Sequence, residues 1–519
     1  MAETGHIIVD LIEKTTAGYP DGEAVKWLVK KDFATKTYKE LNADRLRVAN
    51  YLCDNGFLGT QLAVLGTSSY EWIAAYFGIV SARMTAVPLD PMLPPDELCD
   101  LIRRSDSEAL LVTPKLYGIV ELVRKECPKV RLFVLLSDDE PKSDDEINFT
   151  QILERSTDAP LSDEKRPAPD DVCTIIFTSG TTGKSKGVML TQRNLYDDVE
   201  NVVVTFVPHT TMLSVLPVHH AYCLVMDWMK GFSLAATIYI NDSLLHMLRN
   251  IAKVQPQILL MVPLMIETVY KRLQAADPSR PKEEVAKEVL GENLIKIFSG
   301  GAHLDPSYIY GFKEYGIEVC EGYGMSECSP TISTNSELGI RPGSVGKVLA
   351  NMEVRFVDGE IQVKGSNVMK GYYKMPKETE EAFMDGWLRT GDLGHLDEDG
   401  YLYITGRLKN LIILSNGENI SPEEIENSLL SNELVGEAVV EGASNGLRAR
   451  IFPDPDVVER DGIASDEVKS RLQGIIDDYN KSQPTYRAIT ELVVRENPFI
   501  KNSTKKIVRA KAEIDEPQE

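Results

Sequence analysis

The sequence predicts an α/β fold: a large N-terminal region of mixed, mainly parallel β-sheets covered by helices, a small β subdomain, and a C-terminal α+β domain. Three observations carry that expectation. Short apolar β runs alternate with amphipathic stretches over the first 350 residues; short strands and turns take over after Gly343; and a compact mixed segment of about 110 residues starts at Asn410. Strands alternating with helical patterns imply parallel sheets covered by helices.

The elements follow in order. Leu62–Gly66 (LAVLG) reads as a strand and Ser69–Ala82 as a helix capped by Ser69. Glu108–Thr113 and Arg131–Leu136 continue the strand series, as do Met212–Leu216, Thr237–Ile240, Ile258–Val262 and Leu294–Ser299. A polar, acid- and Pro-rich tract, Ser137–Asp171, reads as a connection between two halves of the large region. Met352–Val357, Gly359–Lys364 and Tyr401–Thr405 are the expected strands of the β subdomain. No internal repeat is visible.

Bulk properties narrow the classes. The 519 residues allow roughly two to four domains. The net charge of −23, from 79 acids against 56 bases, argues against a nucleic-acid surface and against general adhesion to anionic lipid. Seven Cys lie scattered without CxxC pairing or a His-rich cluster, which fits reduced thiols and a cytoplasmic setting better than a disulfide framework or zinc site. The N-terminus lacks the basic-then-apolar layout of a secretory signal. The best apolar stretch, Trp72–Val87, is interrupted by Ser81 and Arg83 and is too short to span a bilayer, so no integral membrane segment is expected.

The most specific local signal is residues 178–187, TSGTTGKSKG, directly after the β run Cys173–Phe177. Three Gly, five hydroxyls and two Lys, with no acid, suit a polyphosphate cradle: Gly admits close approach of backbone N–H groups, hydroxyls donate, and Lys offsets charge. It is not the common P-loop, because only Thr181 and Thr182 separate Gly180 from Gly183. A plain Ser/Thr/Gly surface loop is the competing reading.

Three further constellations stand out. In EGYGMSE (321–327), two Gly flank Tyr323, so the backbone is expected to turn there and hold out a ring that could stack on a purine. Glu327, one turn later, offers oxygen to Mg²⁺. In 386–409, Asp392 is expected in a turn where its carboxylate could accept ribose hydroxyls; Asp397–Gly400 reads as a hairpin turn, and Arg407 and Lys409 follow a strand. KNSTKKIVR (501–509) is either a solvated Lys-rich tail or a segment delivering a Lys to an active site. Each of the three also has a purely structural reading.

Taken together and in this order, the motifs resemble the adenylate-forming superfamily of acyl-CoA synthetases, peptide-synthetase adenylation domains and luciferases. TSGTTGKSKG resembles its phosphate loop, LPVHHAY (216–222) the segment near the acyl pocket, and SGGAHL (299–304) with EGYGMSE the adenine site. GWLRTGDLG (386–394) resembles the ribose motif, GRLKNLIILSNGENISPEEIE (406–426) the hinge, and KNSTKKIVR the catalytic-lysine motif. The match covers essentially the whole chain.

The resemblance implies an N-terminal adenylation domain over 1–408 and a mobile C-terminal domain over 409–519. It implies ATP, Mg²⁺ and coenzyme A as cofactors. Thr178 and Glu327 would bind Mg²⁺ and, with His220 and Lys506, form the catalytic set. Ser179, Gly180, Thr181, Thr182, Gly183 and Lys186 would form the phosphate loop. Tyr323 and Gly324 would face adenine, with Gly301 and Ala302 on the other side. Asp392 and Arg407 would bind ribose, Lys409 would be the hinge, and Gly417 would adjoin the pantetheine tunnel. Three positions depart from the common pattern: Ser185 replaces Pro, Gln192 replaces His, and Lys505 replaces Gly before the catalytic Lys.

The implied reaction is attack of a carboxylate on the ATP α-phosphorus, then transfer of the acyl group from AMP to a thiol. Two anions must meet in the first step, so Mg²⁺, Lys506 and loop donors are needed to offset repulsion. Amino-acid-activating relatives place an Asp near LPVHHAY; here no acid occurs before Asp227, which favours an acid without an α-amino group. The Lys-Lys pair and the short loop Glu441–Leu447 resemble bacterial long-chain acyl-CoA synthetases. A fatty acid and CoA are therefore the expected substrates, and an acyl or aryl adenylation protein loading an acyl carrier protein is the alternative. A non-catalytic ATP- or acyl-binding regulator is a third reading. Peripheral membrane contact is left open, and oligomeric state is not legible.

Overall fold

The computed structural model describes residues 5–178, 184–204, 207–337, 339–413, 419–443, 446–501 and 507–516. The chain divides into two units, Met1–Val354 with Val363–Leu388, and Arg355–Gln362 with Arg389–Glu519.

The first unit holds two large sheets. One runs, among the described residues, in the order 371–372, 186–191, 172–178, 85–89, 61–65, 107–112, 132–135, 146–148. Its strands from Val172–Thr178 onward pair in parallel, while Lys186–Thr191 returns antiparallel against Val172–Thr178. Leu62, Ala63, Val64 and Leu65 are all fully buried, as a strand covered on both faces requires. The second sheet centres on parallel strands Thr211–Ser214, Thr237–Ile240, Ile258–Met261, Lys296–Ser299 and Glu318–Gly324. Antiparallel strands finish both of its edges.

Capping chemistry starts the covering helices where the sequence places hydroxyls and amides. The Ser69 hydroxyl accepts from the Trp72 N–H at 3.1 Å to open helix Tyr70–Ser81. Thr37 with Glu40, Asn148 with Gln151, and Thr191 with Asn194 each satisfy two helix-start donors reciprocally. The apolar run Trp72–Val87 is thus a buried helix followed by strand Thr85–Leu89. Among the described residues no helix is long and apolar enough to cross a membrane.

The structure corrects three local expectations. The acidic tract 137–171 is not a bare connection: Glu146–Asn148 adds an edge strand and Phe149–Arg155 a helix. Arg124 organises it, donating to Asp145 at 2.9 Å and Glu146 at 2.8 Å. The chain after LPVHHAY forms a wide π-helical segment, Tyr222–Met229, closed by Lys230 N–H to the Val225 carbonyl, before a short α turn Lys230–Ser233. Such widened turns frequently mark functional segments.

The other two corrections concern site residues. The backbone does not turn at Tyr323; the strand Glu318–Gly324 runs through it, pairing Tyr323 with Ser333. Asp392 lies in strand Trp387–Leu396 rather than in a loop, directly opposite Arg407. Cross-strand pairing overrides the turn signal of Gly322 and Gly324 at the first place and of Gly391 at the second. The predicted hairpin turn at Asp397–Gly400 does form: the Asp397 carboxylate accepts from Asp399 N–H and Tyr401 N–H, at 3.0 and 2.9 Å.

The second unit contains an antiparallel pair, Val435–Ala443 with Gly446–Pro453, extended in parallel by Ile489–Val494. Helices Pro422–Leu430 and Ser465–Lys481 supply Ile425, Leu429, Leu472 and Ile476 to a core shared with Leu447, Ala449 and Ile451.

Candidate functional site

In the first unit, Thr178 and Lys186 face each other as the last pair of an antiparallel ladder. The predicted loop residues Ser179, Gly180, Thr181, Thr182 and Gly183 lie between them, outside the described residues. Lys186 Nζ sits 4.8 Å from the centre of the Tyr372 ring. The Tyr372 hydroxyl in turn donates to Glu327 Oε1 at 2.9 Å. Burial, then the Glu327 charge, push the Tyr372 phenol above its ordinary range, so it stays a donor.

Glu327 occupies the short turn Ser326–Cys328 and is only 8% exposed. Its carbonyl accepts from Met369 N–H at 2.8 Å, which pins the turn to the segment leading to Tyr372. A network behind it fixes that segment. Fully buried Asp198 accepts from Thr331 N–H at 3.1 Å and from the Asn367 amide at 2.7 Å. Asn194 donates to the carbonyls of Ser366 and Val368 at 2.7 and 3.0 Å. Sequence reasoning missed Tyr372, because a tyrosine in the tract GYYK carries no spacing signal toward Glu327.

The adenine-motif segments lie side by side because parallel register sets Ser299 opposite Glu321. Loop 300–304 therefore leaves its strand beside EGYG. Gly301 has φ +83°, the left-handed region, and Gly301 and Ala302 are exposed. Tyr323 is half-buried on the neighbouring strand. Gly324 is required by close approach: a Cβ there would lie 1.9 Å from the Pro330 carbonyl oxygen. The Glu321 carboxyl, buried and accepting from the Leu304 and Gly343 backbone, is pushed up to about 7 by burial.

In the LPVHHAY segment, the His219 and His220 rings lie 4.2 Å apart, tilted by 48°. Burial, then neighbouring His220, push His219 down to about 3, against the pull of Asp90 3.6 Å away. His219 is thus a neutral imidazole at ordinary pH. Asp227 is turned into the core: its Oδ2 accepts from the Ser214 hydroxyl at 2.9 Å, and burial raises it to about 7.

In the second unit, Arg407 Nε meets Asp392 Oδ1 at 3.0 Å. Gly391, at φ +71°, bends the strand just before Asp392, and Thr390 bonds the Ile361 carbonyl at 2.7 Å. Lys409 sits in the short turn Leu408–Asn410 that follows Arg407. Gly417 and Lys506 lie outside the described residues. The residues flanking Lys506 are anchored: Lys501 bridges to Ile507, Lys501 Nζ meets Glu437 at 2.6 Å, and Arg509 donates to buried Glu426.

The first unit holds a Lys and a hydroxyl at a ladder end, with Tyr372 linking that Lys to a buried carboxylate, and the second holds Arg509 fixed on Glu426. Glu327 and Thr178 offer the hard oxygen donors that suit Mg²⁺. Comparison with known proteins bears on the family and the fold. Residues 12–373 match the model of the AMP-binding enzyme and residues 409–515 that of the AMP-binding enzyme C-terminal domain. A long-chain-fatty-acid–CoA ligase of Mycobacterium bovis is 29% identical over 465 residues, covering 77% of this chain and 74% of that protein. The structure of an anthranilate CoA ligase in complex with anthranoyl-AMP superposes with a TM-score of 0.84 at 21% identity, covering 98% of this chain and 97% of that one. ATP-bound MatB from Rhodopseudomonas palustris gives 0.79 at 25% identity, covering 96% and 97%. The chain belongs to the AMP-binding enzyme family.

Proposed function

We propose that this protein activates a long-chain carboxylic acid with ATP and transfers the acyl group to the thiol of CoA. The carrying observation is the chain of contacts from Lys186 through Tyr372 to Glu327, which joins the phosphate-loop ladder to the acidic motif. The names of curated relatives, long-chain-fatty-acid–CoA ligases and long-chain acyl-CoA synthetases at 27–29% identity, support the substrate class.

The first step forms a bond between a carboxylate oxygen and the ATP α-phosphorus, and pyrophosphate leaves with the electron pair of the broken P–O bond. Lys186 offsets charge on the phosphates, and Lys506 offsets charge at the α-phosphate and the attacking carboxylate. Glu327 and Thr178 would hold Mg²⁺, which when bound would neutralise phosphate charge. Tyr323 stacks on adenine against Gly301 and Ala302, Gly324 lets the neighbouring backbone close in, and Asp392 with Arg407 accepts the ribose. His220 lies beside the acid.

In the second step a thiolate attacks the acyl-adenylate carbonyl carbon and AMP leaves with the electron pair of the C–O bond. Lys409 is the hinge between the two steps, the domain boundary falls at 408/409, and Gly417 adjoins the path of the thiol. Asp227, neutral up to about pH 7 and engaged with Ser214, offers no charge to an α-ammonium, which supports an acid without one. The seven cysteines are unpaired, which fits a cytoplasmic enzyme.

The experiment is acid-dependent release of pyrophosphate from ATP, with CoA or a phosphopantetheinylated carrier protein as acceptor. Acyl-CoA as product supports this reading; acylated carrier protein with no acyl-CoA supports the alternative acceptor.

A further inference from the structure

Beneath the Thr178–Lys186 pair lies a residue that no motif singles out. Arg104 is the last residue of helix Pro95–Arg104, a position where the helix dipole favours a cation. Its Nη2 donates to the Ser185 carbonyl at 2.5 Å. Its guanidinium lies 5.6 Å from the centre of the Phe177 ring. Nη1 also meets Asp100 one turn back, at 3.4 Å. Arg104 therefore holds one residue on each side of the loop: Phe177, next to Thr178, and Ser185, next to Lys186.

Ser185 stands where the adenylate-forming pattern usually has Pro. Pro would preset the backbone before Lys186 by fixing φ; Ser leaves that torsion free. A bond to the Ser185 carbonyl from a side chain on another helix restrains the same point by other means. Tyr373 N–H donates to the Gly187 carbonyl, two residues on, at 2.7 Å, so the returning strand is held at alternate residues.

We propose that Arg104 is a positioning residue for the ATP polyphosphate: it fixes the returning arm of the loop so that Lys186 and Thr178 keep their places before nucleotide arrives. This rests on the proposed reading of 178–187 as the phosphate loop. Arg104 acts through Ser185 and Phe177, so its removal weakens ATP and leaves the acid unaffected.

The test uses the full-length protein with Arg104→Ala and Arg104→Lys. Equilibrium binding of ATP with Mg²⁺ is measured without any acid, and trypsin cleavage after Lys184 and Lys186 is followed with and without ATP. Arg104→Ala is expected to weaken ATP at least tenfold, speed cleavage at these two lysines, and raise the KM for ATP while the KM for the acid stays within twofold. Arg104→Lys, which keeps a donor and the charge without the planar fork, recovers part of the binding. ATP affinity within twofold of wild type for Arg104→Ala, or equal losses for ATP and acid, would overturn the proposal. A wild type that binds ATP but releases no pyrophosphate with any acid would sink the adenylation reading instead, and the Arg104 comparison would still decide this one.

Discussion

The Tyr372 hydroxyl donates to the Glu327 carboxylate at 2.9 Å, and the same phenol ring carries the Lys186 ammonium on its face at 4.8 Å. One aromatic side chain thus orients an acid and a base that lie far apart in sequence. Tyr372→Phe keeps the ring and removes only the hydrogen bond. Adenylation should fall roughly 10- to 150-fold, matching the ~1.5–3 kcal/mol of a hydrogen bond to a charged group, with a raised Mg²⁺ requirement. Glu327→Gln should cost more, about 10²–10³-fold, as for loss of one electrostatic stabiliser. Mg²⁺ titrations of pyrophosphate release check both; an unchanged Mg²⁺ requirement in Tyr372→Phe contradicts the orienting role.

Gly324→Ala tests the close approach of two strands. A Cβ would meet the Pro330 carbonyl oxygen at 1.9 Å, and the obstacle is backbone, so relief requires moving the strand. The expected loss is at least ~1–3 kcal/mol of stability, read by thermal unfolding, together with loss of ATP binding. Wild-type stability would show that the strands part freely.

Much of this was legible in the sequence, for physical reasons that differ by residue. Leu62–Leu65 was readable because a strand buried on both faces must be continuously apolar. The Ser69 cap was readable because a hydroxyl before an apolar run satisfies a helix-start donor. Thr178 and Lys186 stood out by composition around them. Tyr372, Asp198 and Arg104 did not: their partners are set by three-dimensional neighbours, and neither periodicity nor spacing encodes those. Tyr323, between Gly322 and Gly324, and Asp392, after Gly391, read as turn positions, but strand pairing with Ser333 and Arg407 prevails.

Asp227 gives a pH test. Burial raises it from the usual carboxylate range near 3.8 to about 7. A carboxyl raised on folding contributes stability that is complete below about 3.8 and lost as pH rises through about 7, on the order of 4 kcal/mol in total. Asp227→Asn keeps an acceptor for Ser214 and cannot ionise. Denaturant unfolding from about pH 4 to 9 should show wild type losing stability relative to Asp227→Asn as pH rises from about 4 to about 7, and levelling off above that. Parallel pH curves would contradict the buried neutral carboxyl.

Arg509 donates to Glu426, whose other oxygen accepts from Val440 N–H at 2.6 Å, anchoring the chain at residue 509. Lys506→Ala should lower adenylation about 10²–10³-fold, by analogy with loss of one oxyanion donor, and largely spare thioester formation from supplied acyl-AMP. Arg509→Ala should follow the same split with a smaller loss. Single-turnover assays of each half-reaction check this. Equal losses in both would contradict separate roles for the lysine segment in the two steps.

The most direct measurement is a panel of carboxylic acids, from acetate through long-chain fatty acids to aryl and amino acids, scored for pyrophosphate release and for thioester with CoA. Long-chain fatty acids should give the highest kcat/KM, with pyrophosphate and acyl-CoA formed in equal amounts, and amino acids should give neither. No pyrophosphate from any acid, or pyrophosphate from amino acids alone, would contradict the assignment.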